Sequence, residues 1–276
     1  MELKFDLHMH SSASDGTDSP LELIDLALQA GLAGISITDH DTVAAYTPKL
    51  FEHAKVKKVQ VGTGVEFSTR SNGHSVHILG YGIDVQNSEL LAFCDAHQDR
   101  RYKRNLAMCQ KLSKMGMPVG EDWLCSDGCP IKGIGRPHIA TRMLERGYVK
   151  DIKQAFSLYL GDDKCAFVQS KTFSITETID LIHTAGGKAF IAHPQLIKRR
   201  RLLRDVLAMP FDGLECYYGT FGADQAEAWL KIAQEKGWMI SGGSDYHGKV
   251  KPEIRMGCSY VTEQVFQDIF NLREGA

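Results

Sequence analysis

The chain has 276 residues, 43% hydrophobic and 24% charged, with 26 glycines and a formal net charge of -2. That suffices for a large globular core, as one domain or one domain with an insertion, and excludes a fibrous or disordered chain. The charge balance gives no global basic signal for nucleic acid, and no apolar run approaches the roughly 18–20 residues of a bilayer span. Met1 leads straight into a charged strand with no leader-peptide pattern, so a soluble, cytoplasmic protein without a membrane partner is expected. Seven scattered cysteines read as reduced and mostly structural; Cys125 and Cys129 lack the second pair that a zinc knuckle needs.

The chain then repeats one unit: a β-rich run, a polar or glycine turn, a helical pattern. Leu3, Phe5 and Leu7 alternate with polar residues, so His8 and His10 would face one spot where the first strand ends. Ser19-Pro20-Leu21-Glu22 predicts a helix start with a capping box, and Gly31 its end. Strands follow over Gly34–Thr38, running into Asp39-His40-Asp41, over Val59–Val65, closing on Glu66, and over Ser75–Tyr81, which contains His77. From 88 to 168 the pattern is mostly helical and is read as an inserted subdomain between two barrel parts, 1–87 and 169–276. The rhythm resumes with a second capping box, Ser174-Ile175-Thr176-Glu177. A strand over Lys188–Ala192 ends in His193-Pro194. A short strand over Gly213–Cys216, a helix over Ala223–Lys236 and a run over Trp238–Gly243 leading to Ser244-Asp245-Tyr246-His247 complete the pattern, with a last helix over Glu263–Leu272.

Alternating strands and helices imply a mainly parallel sheet with helices outside it, and in such barrels the active site lies at the carboxyl ends of the strands. Nine candidate ligands fall there: His8, His10, Asp15, His40, Glu66, His77, His193, Asp245 and His247. One histidine at a strand end is most simply structural, but nine such residues over six strand ends call for metal.

His8-Met9-His10 with Asp15, Thr38-Asp39-His40-Asp41, Glu66, His77, Ala192-His193-Pro194 and Ser244-Asp245-Tyr246-His247 resemble, in order and spacing, the motifs of the polymerase and histidinol phosphatase (PHP) family of metal-dependent phosphoesterases. Gly135-Arg136-Pro137-His138-Ile139-Ala140 resembles the branch acting on nucleotide 3′,5′-bisphosphates and the 5′ ends of short RNAs. The resemblance implies a distorted (β/α)7 TIM-like barrel with two to three divalent metals. Carried onto this chain, it suggests one metal held by His8, His10, Glu66 and Asp245, a second by Glu66, His77 and His193, and a third by Asp15, His40 and His247. Glu66 would bridge, and Asp39 would orient His40. Mixed His/carboxylate sites accept Mn, Fe, Co or Zn; Mn²⁺ is the metal expected, with Zn²⁺ or Fe²⁺ compatible.

Three dications against the carboxylates of Asp15, Glu66 and Asp245 leave a positive pocket that suits a phosphate dianion. The expected reaction is hydrolysis at phosphorus by a metal-bridging hydroxide, with a metal-bound water, His193 or Asp41 protonating the departing ribose oxygen. Arg136 and His138, with Lys171, are the expected substrate contacts, against the alternative of a structural turn whose arginine pairs with an acid. Lys198-Arg199-Arg200-Arg201 with Arg204, and Arg100-Arg101-Lys103-Arg104, read first as solvated surface and second as phosphate-attracting. The favoured substrate is a nucleoside 3′,5′-bisphosphate such as pAp, converted to AMP and phosphate, with 5′-to-3′ exonuclease action on short RNA or DNA as an accompaniment. Histidinol phosphatase is the alternative, and a metal-dependent amidohydrolase a more distant one, because Glu66 stands where that class commonly uses a carbamylated lysine. A non-catalytic metal or nucleic-acid binder is disfavoured by the complete ligand set.

Overall fold

The computed structural model describes residues 2–71, 73–126, 129–169, 173–219 and 221–271. The chain forms two compact units, one built from residues 1–92 and 173–276, the other from residues 93–172.

In the first unit, β1 (Lys4–Asp6), α1 (Pro20–Gln29), β2 (Gly34–Ile37), α2 (Pro48–Lys57), β3 (Gln60–Ser71) and β4 (His74–Tyr81) come before the insertion. α1 begins as the sequence predicts: Ser19 accepts the N–H of Glu22, and Glu22 takes the N–H of Ser19. α2 has Thr47 as N-cap and proline at its start, and it escaped the reading from sequence.

α3 (Ser88–Lys114) leads into the second unit, which adds a hairpin of β5 (Cys125–Ser126) and β6 (Cys129–Pro130), α4 (Arg136–Glu145) and the short α5 (Ile152–Ala155). Met108, Leu112, Ile139, Ala140, Met143 and Leu160 form its core. The first unit resumes with α6 (Ile175–Thr184), β7 (Lys188–Ile191), α7 (Arg200–Leu207), β8 (Gly213–Tyr218), α8 (Ala223–Lys236), β9 (Met239–Gly243), β10 (Val261–Thr262) and α9 (Glu263–Phe270). The Ser174 capping box is present.

The strands form one sheet in the order β10-β1-β2-β3-β4-β7-β8-β9. Its ends come round toward each other: Leu7 N–H donates to Gly242 O at 3.2 Å and Asp245 N–H to His8 O at 2.8 Å. Met9 pairs in parallel with Tyr246. The approach needs Gly243, where a Cβ would strike the His8 backbone. The result is a nearly closed barrel, the TIM-like class expected. Phe5, Leu7, Leu79, Tyr81 and Phe190, from strands that are not all neighbours, pack together with Phe266 and Ile269 of α9. This apolar plug fills the barrel beneath the polar mouth.

Two details differ from the sequence reading. β4 runs antiparallel to both β3 and β7, so His77 lies in the first half of its strand, not at a carboxyl end. β3 also continues past Glu66 to Ser71, because the two strands join through a tight hairpin whose Gly73 adopts φ 81°. His77, Leu79 and Tyr81 share a face of β4, so the hairpin delivers His77 to the mouth that the other ligands reach from strand ends. Among the described residues, no helix is long and apolar enough to cross a membrane.

Candidate metal centre

Glu66 is the hub. Its carboxylate is 1% exposed, and five imidazoles surround it. His77 Nδ1 and His193 Nε2 each lie 2.9 Å from Oε1. His40 Nδ1 lies 3.0 Å, His10 Nε2 3.2 Å and His8 Nε2 3.5 Å from Oε2. Asp245 Oδ1 faces His8 Nε2 at 3.4 Å and His10 Nε2 at 3.3 Å, and the two imidazole nitrogens are 3.3 Å apart. A tetrahedron of donors about 2.1 Å from its centre has edges of about 3.4 Å. The donor separations of His8, His10 and Glu66 match a divalent ion, and Asp245 Oδ1 stands beside both imidazoles as a further oxygen donor.

A further group joins His10, Asp15, His40 and His247, with Asp15 oxygens 3.6 Å from His10 Nδ1, 3.7 Å from His40 Nε2 and 3.5 Å from His247 Nε2. All nine residues singled out in the sequence thus converge at the barrel mouth. His40 has one nitrogen toward Glu66 and the other toward Asp15, while His10 reaches both outer groups, so the sets interlock more than the sequence division implies. No cysteine joins any such group among the described residues.

Asp39 departs from expectation. Its oxygens accept from Ser11 N–H at 2.8 Å, Ser11 Oγ at 2.6 Å and Ser14 Oγ at 2.5 Å. Three donors of a polar loop need partners once buried, and Asp39 supplies them. It fixes the segment between His10 and Asp15 rather than the ring of His40. Asp41, at φ 55°, takes the N–H of Ser68 at 2.7 Å.

Three supporting residues carry no sequence signal that singles them out. Glu215, fully buried on β8, accepts His8 Nδ1 at 2.8 Å with one oxygen and the N–H of His193 at 2.7 Å with the other. The first bond turns His8 Nε2 into the centre. The second holds His193 at φ 28°, a left-handed conformation that its own side chain disfavours. Tyr218 OH and Lys251 Nζ meet Asp245 Oδ2 at 2.7 and 2.6 Å, which leaves Oδ1 turned to the histidines.

Arg136 and His138 belong to the second unit. Arg136 pairs with Asp162 at 2.9 Å and lies over the rings of Phe156 and Phe167. His138 Nδ1 accepts the N–H of Gly135 at the start of α4. Lys171 lies outside the described residues.

Charge in the centre is tightly coupled. Burial opposes ionisation of Glu66, but His40, His77 and His8 outweigh it and hold its carboxyl well below the usual range. Burial likewise opposes charge on His10, yet hydrogen bonds to Asp245 and Glu66 and the nearby Asp15 raise it to about 9. His247 falls to about 3 through burial and the charges of His10 and Lys251, which keeps its ring neutral.

A histidine raised to about 9 contributes stability to the metal-free fold that is complete below about pH 6.5 and is lost as pH rises through 9. A divalent ion needs the same nitrogen without its proton. Metal affinity is therefore expected to climb with pH across this window, with proton release on binding. Calorimetry at neutral pH in two buffers of different ionisation enthalpy checks this; equal heats would refute it.

Residues 6–238 match the family model described as PHP domain. A 5′-3′ exoribonuclease of Haemophilus influenzae is 35% identical over 258 residues, covering 90% of this chain and 91% of that protein. A 3′,5′-nucleoside bisphosphate phosphatase of Chromobacterium violaceum is 31% identical, covering 88% and 86%. The crystal structure described as a putative metal-dependent phosphoesterase from Bifidobacterium adolescentis superposes with a TM-score of 0.85 at 28% identity, over 97% of this chain and 95% of that one. With the motifs in order, the ligands gathered at one barrel mouth and these relatives alongside, the chain belongs to the PHP domain family and is a metal-dependent phosphoester hydrolase.

Proposed function

We propose that this chain removes the 3′-phosphate of nucleoside 3′,5′-bisphosphates such as pAp, and that it also trims short oligonucleotides from the 5′ end. The observation carrying this is the buried Glu66 hub, with imidazole and carboxylate groups arranged on both sides of it, in a chain whose relatives are named as a bisphosphate phosphatase and an exoribonuclease. His8, His10, Glu66 and Asp245 would hold one metal, Glu66, His77 and His193 a second, and Asp15, His40 and His247 a third, with Mn²⁺ the proposed ion. Bound there, divalent ions would supply a hydroxide nucleophile at neutral pH and charge to stabilise the phosphoryl transition state.

The protein's own groups do the rest. Glu66 fixes the imidazoles around one carboxylate. Asp39 and the two serines it grips hold the loop that brings Asp15 to the mouth. His193 or Asp41 donates the proton to the departing ribose oxygen. Arg136 and His138 are proposed for the phosphate that is spared, with Lys171 as a further contact. Arg136 is already paired with Asp162, so a phosphate must compete for the guanidinium. Arg136→Gln is expected to raise KM for pAp by roughly tenfold or more, the worth of a charge-assisted hydrogen bond of about 1.5–3 kcal/mol, with kcat little changed.

The decisive assay is phosphate release with Mn²⁺ from pAp, 5′-AMP, 3′-AMP, histidinol phosphate and a short 5′-phosphorylated RNA. Rapid conversion of pAp to 5′-AMP, with 5′-AMP itself resistant, is expected. Preference for histidinol phosphate would keep the metal chemistry and overturn the nucleotide reading.

A further inference from the structure

The segment between β7 and α7 and the first turn of α7 carry Lys198, Arg199, Arg200 and Arg201 in unbroken succession. All four are exposed, and among the described residues none makes an ion pair or a side-chain hydrogen bond. α7 anchors itself by burying Leu202 and Val206, which leaves these cations to solvent. The segment starts at the metal centre, because His193 touches Glu66 and only Pro194–Ile197 separate it from Lys198. Gln195 fastens this loop to β8, donating to Cys216 O at 3.3 Å.

The next loop, after β8, presents an aromatic ring. Phe221 is 36% exposed and packs at 5.5 Å on Tyr218. Tyr218 in turn stands edge-on to His193 at 5.3 Å and bonds to Asp245. Phe221 is thus two ring contacts from His193. A charge run or an exposed ring is unremarkable alone. Here they lie on the loops that follow two parallel neighbouring strands, one starting at His193 and the other at Tyr218, whose ring packs on His193.

We infer that this rim is a track for a single strand of nucleic acid continuing outward from the metal centre. Lys198 to Arg201 follow its phosphates, and a base stacks on Phe221. Four adjacent cations without counter-charges repel one another, and a polyanion relieves that repulsion. Stacking on Phe221 requires an unpaired base, which selects a single strand over a duplex. The inference rests on the nucleotide reading above and deepens it: the track serves a strand and not a mononucleotide.

The test compares a short 5′-phosphorylated, phosphorothioate-linked RNA with pAp, using the Mn²⁺-loaded enzyme. Replacing Lys198, Arg199, Arg200 and Arg201 together by Gln is expected to flatten the dependence of log affinity on log salt by roughly 2–3, since each neutralised phosphate of a single strand contributes about 0.7. Phe221→Ala is expected to weaken strand binding by about tenfold, and Phe221→Trp to preserve it. All three variants should hydrolyse pAp as the wild type does. The track is overturned if the wild type fails to bind the strand, if the fourfold Gln variant and Phe221→Ala bind it as the wild type does, or if strand and pAp suffer equally. A wild type that binds and cuts strands but ignores pAp would support the track and remove the bisphosphate reading.

Discussion

His193→Ala and Asp245→Ala, made separately, are expected each to lower hydrolysis on the order of 10³-fold or more while leaving the protein folded. A thousandfold corresponds to about 4 kcal/mol of transition-state stabilisation, within what a bound metal ion supplies. His193 is 13% exposed in its side chain, and its backbone N–H keeps its bond to Glu215 whatever the side chain. Removing its ring takes one donor from the edge of the centre without opening the core. Asp245 is more deeply placed, but the group it leaves behind, Lys251, is 35% exposed and can turn to water, while Tyr218 keeps its packing on His193 and Phe221. Glu66 would be a poorer probe. It lies beneath five imidazoles, two of them raised in pKa, and its loss would mix a folding defect with the chemical one. The measurement is kcat/KM in metal-controlled buffer alongside bound-metal stoichiometry and circular dichroism. Near-normal turnover by both variants would sink the proposed centre.

The ligands were legible because metal binding leaves a residue-type signature at strand ends. His8-Met9-His10 puts two donors on one side by simple alternation, while Asp245 and His247 follow a β-rich run directly, and these places after β-rich runs located the mouth. Strand direction was not legible: Ser75–Tyr81 has the same period read either way. Only the tight connection through Gly73 marks the antiparallel hairpin that carries His77. α2 carries its signal in Thr47-Pro48, where Thr47 Oγ1 accepts from Leu50, but its mixed composition shows weak periodicity. Asp39 stands beside His40 in the chain, but adjacency in the chain is not adjacency of side chains; successive residues point apart, and its partners Ser11 and Ser14 come from another strand's loop. Glu215, Tyr218 and Lys251 lie beyond sequence reasoning of this kind. What defines them is a pairing with His8, His193 or Asp245, fixed only when the barrel closes.

Glu215 supports the second large prediction. Its two oxygens both accept, one from His8 Nδ1 and one from His193 N–H, and it is fully buried, so water cannot stand in. Glu215→Gln preserves the shape but turns one oxygen into a donor. If the new NH₂ faces His193, two donors oppose each other, and the φ 28° backbone that places the ring loses its restraint. If it faces His8, the imidazole must accept at Nδ1 and carry its proton on Nε2, the nitrogen that points at Glu66 and Asp245. Either arrangement spoils one ligand. Metal affinity is expected to fall by roughly 10–100-fold, the usual cost of losing a carboxylate that orients a ligating histidine. Because the nine ligands themselves remain, excess Mn²⁺ should recover much of kcat, which it cannot do for Asp245→Ala. Competition with a chelating indicator gives the affinity, and activity titrated against free Mn²⁺ gives the recovery. Unchanged affinity in the Gln variant would show that His8 keeps its orientation by packing alone. Weakened binding with metal-rescued turnover is the outcome that separates a residue holding the ligands in place from one that binds the ion.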